Sequence, residues 1–280
     1  MKRAEDDGPT VLVALSNPRT ESALVTLAGA LAEHAGGRVL ATHVVTVPDQ
    51  TALEKAAESR AALDAASDEL LAAAATDAAA FDVPIETRTI LSHRGIGEVF
   101  DAARAHDAAV VVMGYGGARF VGGRVEGWLD EIARDLPCDF LVLDGRRLEL
   151  SNVLVPTAGG PSSDLSAEVA AALRDVLGVD VSLLHVVEPG DEAAGRRFLA
   201  DWADGHGLAD ARLRVEAGDV GETIGRLGEG YDLVIVGATE RGLLSRVVRG
   251  SLAVDAIETL DTPALLAERP SGRSPWDRLL

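Results

Sequence analysis

Two glycine-rich stretches carry the residues best suited to chemistry. The first runs Gly114-Tyr-Gly-Gly117-Ala-Arg-Phe-Val-Gly-Gly-Arg-Val-Glu-Gly127-Trp128, and the second runs Gly237-Ala-Thr239-Glu240-Arg-Gly-Leu-Leu-Ser-Arg-Val-Val-Arg-Gly250-Ser251. Glycine carries no Cβ, so a chain rich in it can close its N–H groups around an oxyanion. A Gly-Ser pair that opens a helix adds a hydroxyl donor and the positive end of the helix dipole. The chemistry this suits is cradling a phosphate. For either loop by itself, a glycine-rich connection that holds no ligand is the competing reading.

Other reactive residue types point less clearly. Arg241, Arg246 and Arg249 sit where they could balance phosphate charge, although a solvated face or ion pairing within an acidic protein accounts for them as well. His43 and His185 recur at equivalent places in two apolar runs, without the companions a metal needs, and read as hydrogen-bonded strand residues. Cys138 lies in the apolar run Pro137-Cys-Asp-Phe-Leu-Val-Leu143 and reads as packing. There is no Gly-x-Ser-x-Gly elbow, and neither Lys2 nor Lys55 follows a glycine-rich turn, which excludes a Walker-type phosphate loop. Without a phosphate lysine or an evident base, efficient phosphoryl transfer is hard to build, and no catalytic residue is expected.

The elements that must position these loops follow from the apolar pattern. Short apolar runs predict strands at Thr10–Leu15, Arg38–Val45, Ile85–Leu91, Ala108–Met113 and Phe140–Leu143. A second set falls at Asn152–Pro156, Asp180–Val187, Arg212–Glu216, Leu233–Val236 and Ala264–Ala267. The runs lack in/out alternation, as expected of parallel strands covered on both faces. Leu24, Leu27, Ala28 and Leu31, and likewise Val254, Ile257 and Leu260, keep helical spacing between them. Strand, helix, strand in regular succession predicts a doubly wound parallel sheet, in which ligands bind beyond the carboxyl ends of the strands.

The order of elements occurs twice. Val11-Leu-Val-Ala-Leu15 is answered by Val153-Leu-Val-Pro-Thr157, and His43-Val-Val45 by His185-Val-Val187, at one common offset. The chain is therefore read as a tandem duplication. The first domain is expected at 1–148 and the second at 149–268, with a mobile tail at 269–280.

Composition narrows the class. The chain has 280 residues, a net charge of -19, a single cysteine and only two lysines. Its apolar runs fall well short of the roughly 20 residues a membrane span needs, and no signal peptide is visible, so a soluble cytoplasmic protein is expected. A carboxylate surface almost free of lysine resembles that of proteins from salt-loving organisms such as halophilic archaea, the alternative being an ordinary acidic protein from a GC-rich genome. Molar salt shortens the Debye length to about 3 Å and removes its self-repulsion. Such a surface repels phosphate backbones, and no nucleic-acid partner is expected.

The spacing of Gly, two residues, Gly, nine residues, then Gly with Ser or Thr resembles the nucleotide-binding loop of the universal stress protein family. The strand patterns resemble that family over nearly the whole chain. The resemblance implies two tandem doubly wound, five-stranded parallel sheets, Rossmann-like and related to the adenine nucleotide alpha hydrolase fold, paired through their fifth strands as an internal pseudo-dimer. It also implies an adenine nucleotide, ATP or AMP with or without magnesium, held by Gly237, Thr239, Gly250, Ser251 and Ala158 in the second half or by Gly114, Gly117 and Gly127 in the first. Both copies depart from the pattern. Glu240 replaces the second glycine of one loop, Trp128 follows the last glycine of the other, and Ser16 and Ala158 stand where ATP-binding members carry an acidic residue.

The expectation is thus a non-catalytic stress-response or regulatory protein whose nucleotide binding is weak or partly lost, and stronger in the second half. The alternatives are a soluble module acting on a membrane transporter, an amino-acid carrier or antiporter, and a slow magnesium-dependent ATP hydrolase with Asp219 or Glu240 as metal ligand. A homo-oligomer is a further possibility.

Overall fold

The computed structural model describes residues 8–46, 61–92, 96–114, 136–145, 148–237 and 262–270. The chain divides into two compact units, Met1–Gly114 with Ser274–Leu280, and Tyr115–Arg273.

In the first unit the order is β1 (Thr10–Leu15), α1 (Pro18–His34), β2 (Arg38–Thr46), α2 (Ala61–Ala78), β3 (Ile85–Ser92), α3 (Ile96–Ala105) and β4 (Ala108–Gly114). The strands lie side by side as β3-β2-β1-β4. All pairs are parallel, with Val11 opposite Val39 on one side and Val110 on the other. Val11, Leu12, Val13, Val39, Val111 and Val112 are fully buried, since β1 and its neighbours have no solvent face to spare. Helix α1 starts where Asn17 accepts a hydrogen bond from the Arg19 N–H and Pro18 fills a position that needs no donor. Its buried stripe of Leu24, Leu27, Ala28 and Leu31 meets β1.

The second unit contains β5 (Asp139–Asp144), β6 (Asn152–Pro156), α4 (Pro161–Leu177), β7 (Asp180–Val187), α5 (Glu192–Gly205), β8 (Arg212–Ala217), α6 (Val220–Gly228), β9 (Leu233–Gly237) and β10 (Ala264–Glu268). Its strand order is β5-β10-β9-β6-β7-β8. Helix α4 ends on Gly178, whose φ of 70° is left-handed and suits glycine. Ile224 and Leu227 of α6 pack on Leu154, Leu184, Val234 and Val236.

The ten strands agree with the sequence pattern to within a residue at each end, as does the α/β doubly wound class. The expected pairing of fifth strands is present: β10 runs antiparallel to β5, with Leu265 opposite Leu143 and Ala267 opposite Leu141. Two expectations need correction. Outer strand β8 alternates, Arg212-Leu-Arg-Val-Glu216, because an edge strand is less fully covered than an inner one. Arg269, expected at the start of a mobile tail, is instead fastened. Its guanidinium donates to the fully buried Asp139 at 2.9 Å and to Glu168 of α4 at 2.6 Å. Burial alone would lower its pKa, but the hydrogen bonds and charges of Glu168 and Asp139 outweigh that and raise it. A buried carboxylate requires such a partner.

Candidate functional site

In each unit the strand order reverses beside the first strand of the repeat, between β1 and β4 and between β6 and β9. The crevice at the carboxyl ends of those strands is where a ligand of a doubly wound sheet sits.

In the second unit β6 leads into a tight turn. The Thr157 N–H donates to the Leu184 carbonyl at 2.8 Å, and Thr157 Oγ1 accepts from the Gly159 N–H at 3.1 Å. Gly159 and Gly160 have φ of 83° and 92°, values that L side chains rarely adopt, so the pair of glycines lets the chain double back into α4. Pro161 then opens α4. Ala158 is exposed at the tip of the turn and offers only backbone.

Gly237 closes the other side of the crevice. A Cβ built on it would stand 2.6 Å from the carbonyl carbon and oxygen of Ser162 and the nitrogen of Ser163. The end of β9 is therefore pressed against the first turn of α4, and glycine is required there for packing as well as for any ligand. Gly114, its counterpart, is not so constrained: its nearest would-be contacts are Leu24 and Thr20 side-chain atoms at 3.6 Å.

Helix α5 covers the turn with rings. Phe198 lies against Gly159, 3.5 Å from the position of a Cβ there, and its ring centroid is 4.6 Å from that of His185. His185 is fixed in turn, its Nδ1 donating to the Thr157 carbonyl at 2.8 Å. Asp164, the acid in the first turn of α4, is engaged as well. It accepts from Trp202 Nε1 at 3.1 Å and lies 3.1 Å from His206 Nε2, while His206 Nδ1 donates to the Trp202 carbonyl at 2.7 Å.

In the first unit the corresponding turn is Ser16-Asn17, with Ser16 exposed. The acid nearest in sequence is Glu21, in the first turn of α1. It is 5 % exposed, one carboxylate oxygen has no hydrogen-bond partner, and burial, helped by the charge of Asp77, pushes its pKa up to about 7. His43 Nδ1 lies 2.9 Å from Ser67 Oγ, and burial lowers the pKa of this histidine.

Of the residues expected to hold nucleotide, Ala158 and Gly237 come together at the ends of adjacent strands β6 and β9. Gly114 ends β4 beside β1. Gly117, Gly127, Thr239, Gly250 and Ser251 lie outside the described residues, as do Glu240 and the arginines Arg241, Arg246 and Arg249. The two strand histidines are hydrogen-bonded within the protein, as their sequence context suggests. Phe198, the set formed by Asp164, Trp202 and His206, and Glu21 are functional-site neighbours that sequence reasoning does not single out. Only the i, i+4 spacing of Trp202 and His206 on a helix could have flagged any of them. For a nucleotide, the described crevice supplies a backbone turn and a helix start. It supplies no free carboxylate at the tip of that turn.

Residues 9–144 match the model of the universal stress protein family. Two solved structures share the fold along the whole chain. A universal stress protein from Archaeoglobus fulgidus is 16% identical, with 93% of this chain and 98% of that one covered and a TM-score of 0.65. The cytoplasmic domain of a prokaryotic cation chloride cotransporter is 12% identical, with 97% and 99% covered and a TM-score of 0.60. A stretch of 91 residues is 38% identical to N5-carboxyaminoimidazole ribonucleotide mutase of Mycobacterium leprae, covering 31% of this chain. The match spans about half the length of that relative, 53%.

Proposed function

We propose that the whole chain is a tandem member of the universal stress protein family, the family whose model residues 9–144 match. In this reading it is a cytoplasmic, non-catalytic regulatory protein whose adenine nucleotide binding is weak, and is centred on the second half or lost from both. The observation that carries it is the turn after β6. Its glycines keep the backbone path a ligand would need, while Ala158 provides no side-chain acceptor, and the neighbouring acid Asp164 is already engaged by Trp202 and His206. Phosphate would then be held by backbone and hydroxyl groups of the loop that starts at Gly237, with little hold on the sugar and base. The test is the nucleotide content of protein purified without added ligand, together with a titration by ATP. Stoichiometric ATP after purification would overturn the claim of weak binding. Release of inorganic phosphate above buffer, with magnesium present, would favour the slow hydrolase instead.

A second reading, a regulatory module acting on a membrane transporter, is supported by the whole-chain likeness of fold to the cotransporter's cytoplasmic domain. Co-purification with native membranes at the organism's own ionic strength supports that reading, and recovery only in the soluble fraction counts against it.

A further inference from the structure

The outer strand of the second unit carries an alternating pattern of charged and apolar side chains. Strand β8 stands at the end of the sheet order, bonded to β7 alone among the described strands. Its side chains alternate: Leu213 and Val215 on one face, Arg212, Arg214 and Glu216 on the other. Leu213 is 40 % exposed, one of two large apolar residues so exposed among those described, and an open depression of about 430 Å³ runs along the same edge beside Arg196, Val215 and Glu216.

Charges on an edge strand ordinarily discourage pairing. Arg and Glu two places apart do so only against a strand that cannot match them. In an antiparallel pair of two β8 strands related by a two-fold at Val215, Arg214 of each copy falls opposite Glu216 of the other, and Leu213 opposite Ala217. No like charges face each other in that register. A shift of one residue sets charge against apolar side chains and turns each face over, and centring on Arg214 brings two arginines together.

The comparable edge of the first unit is less free to do this. There Arg88 donates from both Nε and Nη2 to Glu86 in the same strand, at 3.2 and 3.0 Å. In β8 the Arg214–Glu216 separation is 3.6 Å, and Arg226 approaches the same carboxylate at 3.6 Å, so Glu216 has two cations and neither is closely bonded.

We propose that β8 is a homotypic interface, joining a second copy of this chain by antiparallel edge pairing through Arg214–Glu216 cross-pairs. One short strand pair buries less than the roughly 1,200 Å² of a tight interface, so the association is weak, with a dissociation constant on the order of 0.1 mM. Two chains of charge -19 also repel at long range. About 0.15 M salt, with a Debye length of about 8 Å, screens that repulsion more than it weakens cross-strand pairs about 5 Å apart.

The test is sedimentation equilibrium of the full chain at about 0.15 M salt, with the wild type, Arg214→Glu, Glu216→Arg, and an equimolar mixture of the two variants. The expected result is a wild-type dimer, a rise of about ten-fold or more in the dissociation constant for each variant alone, and recovery of the wild-type value on mixing, because the exchanged charges match again. Recovery by mixing cannot come from a chain that fails to fold. A wild type monomeric at about 1 mM, single variants that associate as the wild type does, or a mixture that stays monomeric overturns the proposal. So does an effect of Glu86→Arg in place of the β8 variants.

Discussion

Gly237 and Ser162 approach so closely that a methyl group on the glycine would lie 2.6 Å from the Ser162 carbonyl carbon. The contact joins the end of β9 to the first turn of α4, and the atoms in the way are backbone. Gly237→Ala is therefore expected to push strand and helix apart, at about 1–3 kcal/mol of stability. Gly114→Ala, with side-chain neighbours no nearer than 3.6 Å, is expected to be close to neutral. Urea unfolding of the two variants checks the contrast, and equal losses would show that packing does not distinguish the two glycines.

Arg269 carries the second prediction. Its side chain is 11% exposed and Asp139, its partner, is fully buried. Arg269→Met removes the cation and strands the carboxylate, which costs about 3–5 kcal/mol when the partner stays charged. Asp139→Asn in the Arg269→Met background removes the stranded charge, and much of the loss should return. Glu168, 45% exposed, contributes far less, and Glu168→Gln should lie within about 1 kcal/mol of the parent.

Much of this framework is legible in sequence, for a physical reason. Strands covered on both faces must be continuous apolar runs, so Val11–Leu15 and Val153–Pro156 announce themselves, and a repeated order of elements fixes the class of fold. That the strands of Phe140–Leu143 and Ala264–Ala267 pair follows from the family resemblance, and the register that sets Leu143 opposite Leu265 is seen only in the structure. What could not be read are contacts between residues distant along the chain whose types have many other uses. Phe198 on Gly159 leaves no spacing signal, and the i, i+4 pair of Trp202 and His206 does not point to Asp164, because a half-exposed acid and a helical aromatic are common in any helix. The nucleotide loops are the reverse case, since their spacing is plain in the sequence while Gly117, Gly127, Gly250 and Ser251 lie outside the described residues.

Glu21 makes stability depend on pH. Its pKa rises from 4.5 in the open chain to about 7 in the fold, so the folded state binds its proton more tightly. The stabilisation is fully present below pH 4.5 and is lost as pH rises toward 7. Glu21→Gln keeps the shape and cannot ionise. Its melting temperature should exceed that of the parent at pH 8, and the difference should shrink as pH falls through this window. A constant difference across the window would remove Glu21 as the source.

Trp202 ties α5 to α4 through Asp164. Trp202→Phe keeps most of the ring packing and deletes the indole donor, leaving His206 as the remaining neighbour of the carboxylate. The expected cost is about 0.5–1.5 kcal/mol, the net worth of one hydrogen bond. Adding Asp164→Ala to this variant should cost less than Asp164→Ala costs the parent. Strict additivity in that double-mutant cycle would mean that the bond contributes nothing.

The two halves should differ toward nucleotide. By sequence Gly250 is followed by Ser251, which carries a hydroxyl, and Gly127 by Trp128, which carries an indole, so on the proposed function the second pair suits a phosphate better. If ATP binds the second half, a concentration one hundred times its dissociation constant adds about 2.7 kcal/mol to folding stability and raises the melting temperature measurably. Gly250→Val with Ser251→Ala should abolish that rise. Gly114→Val should leave it nearly intact, because Gly114 belongs to the first unit and the side-chain atoms nearest its would-be Cβ are those of Leu24 and Thr20. A rise that vanishes only in the Gly114 variant assigns the site to the first half. No rise in the parent means that neither half binds nucleotide, and the tandem then acts through its surfaces alone.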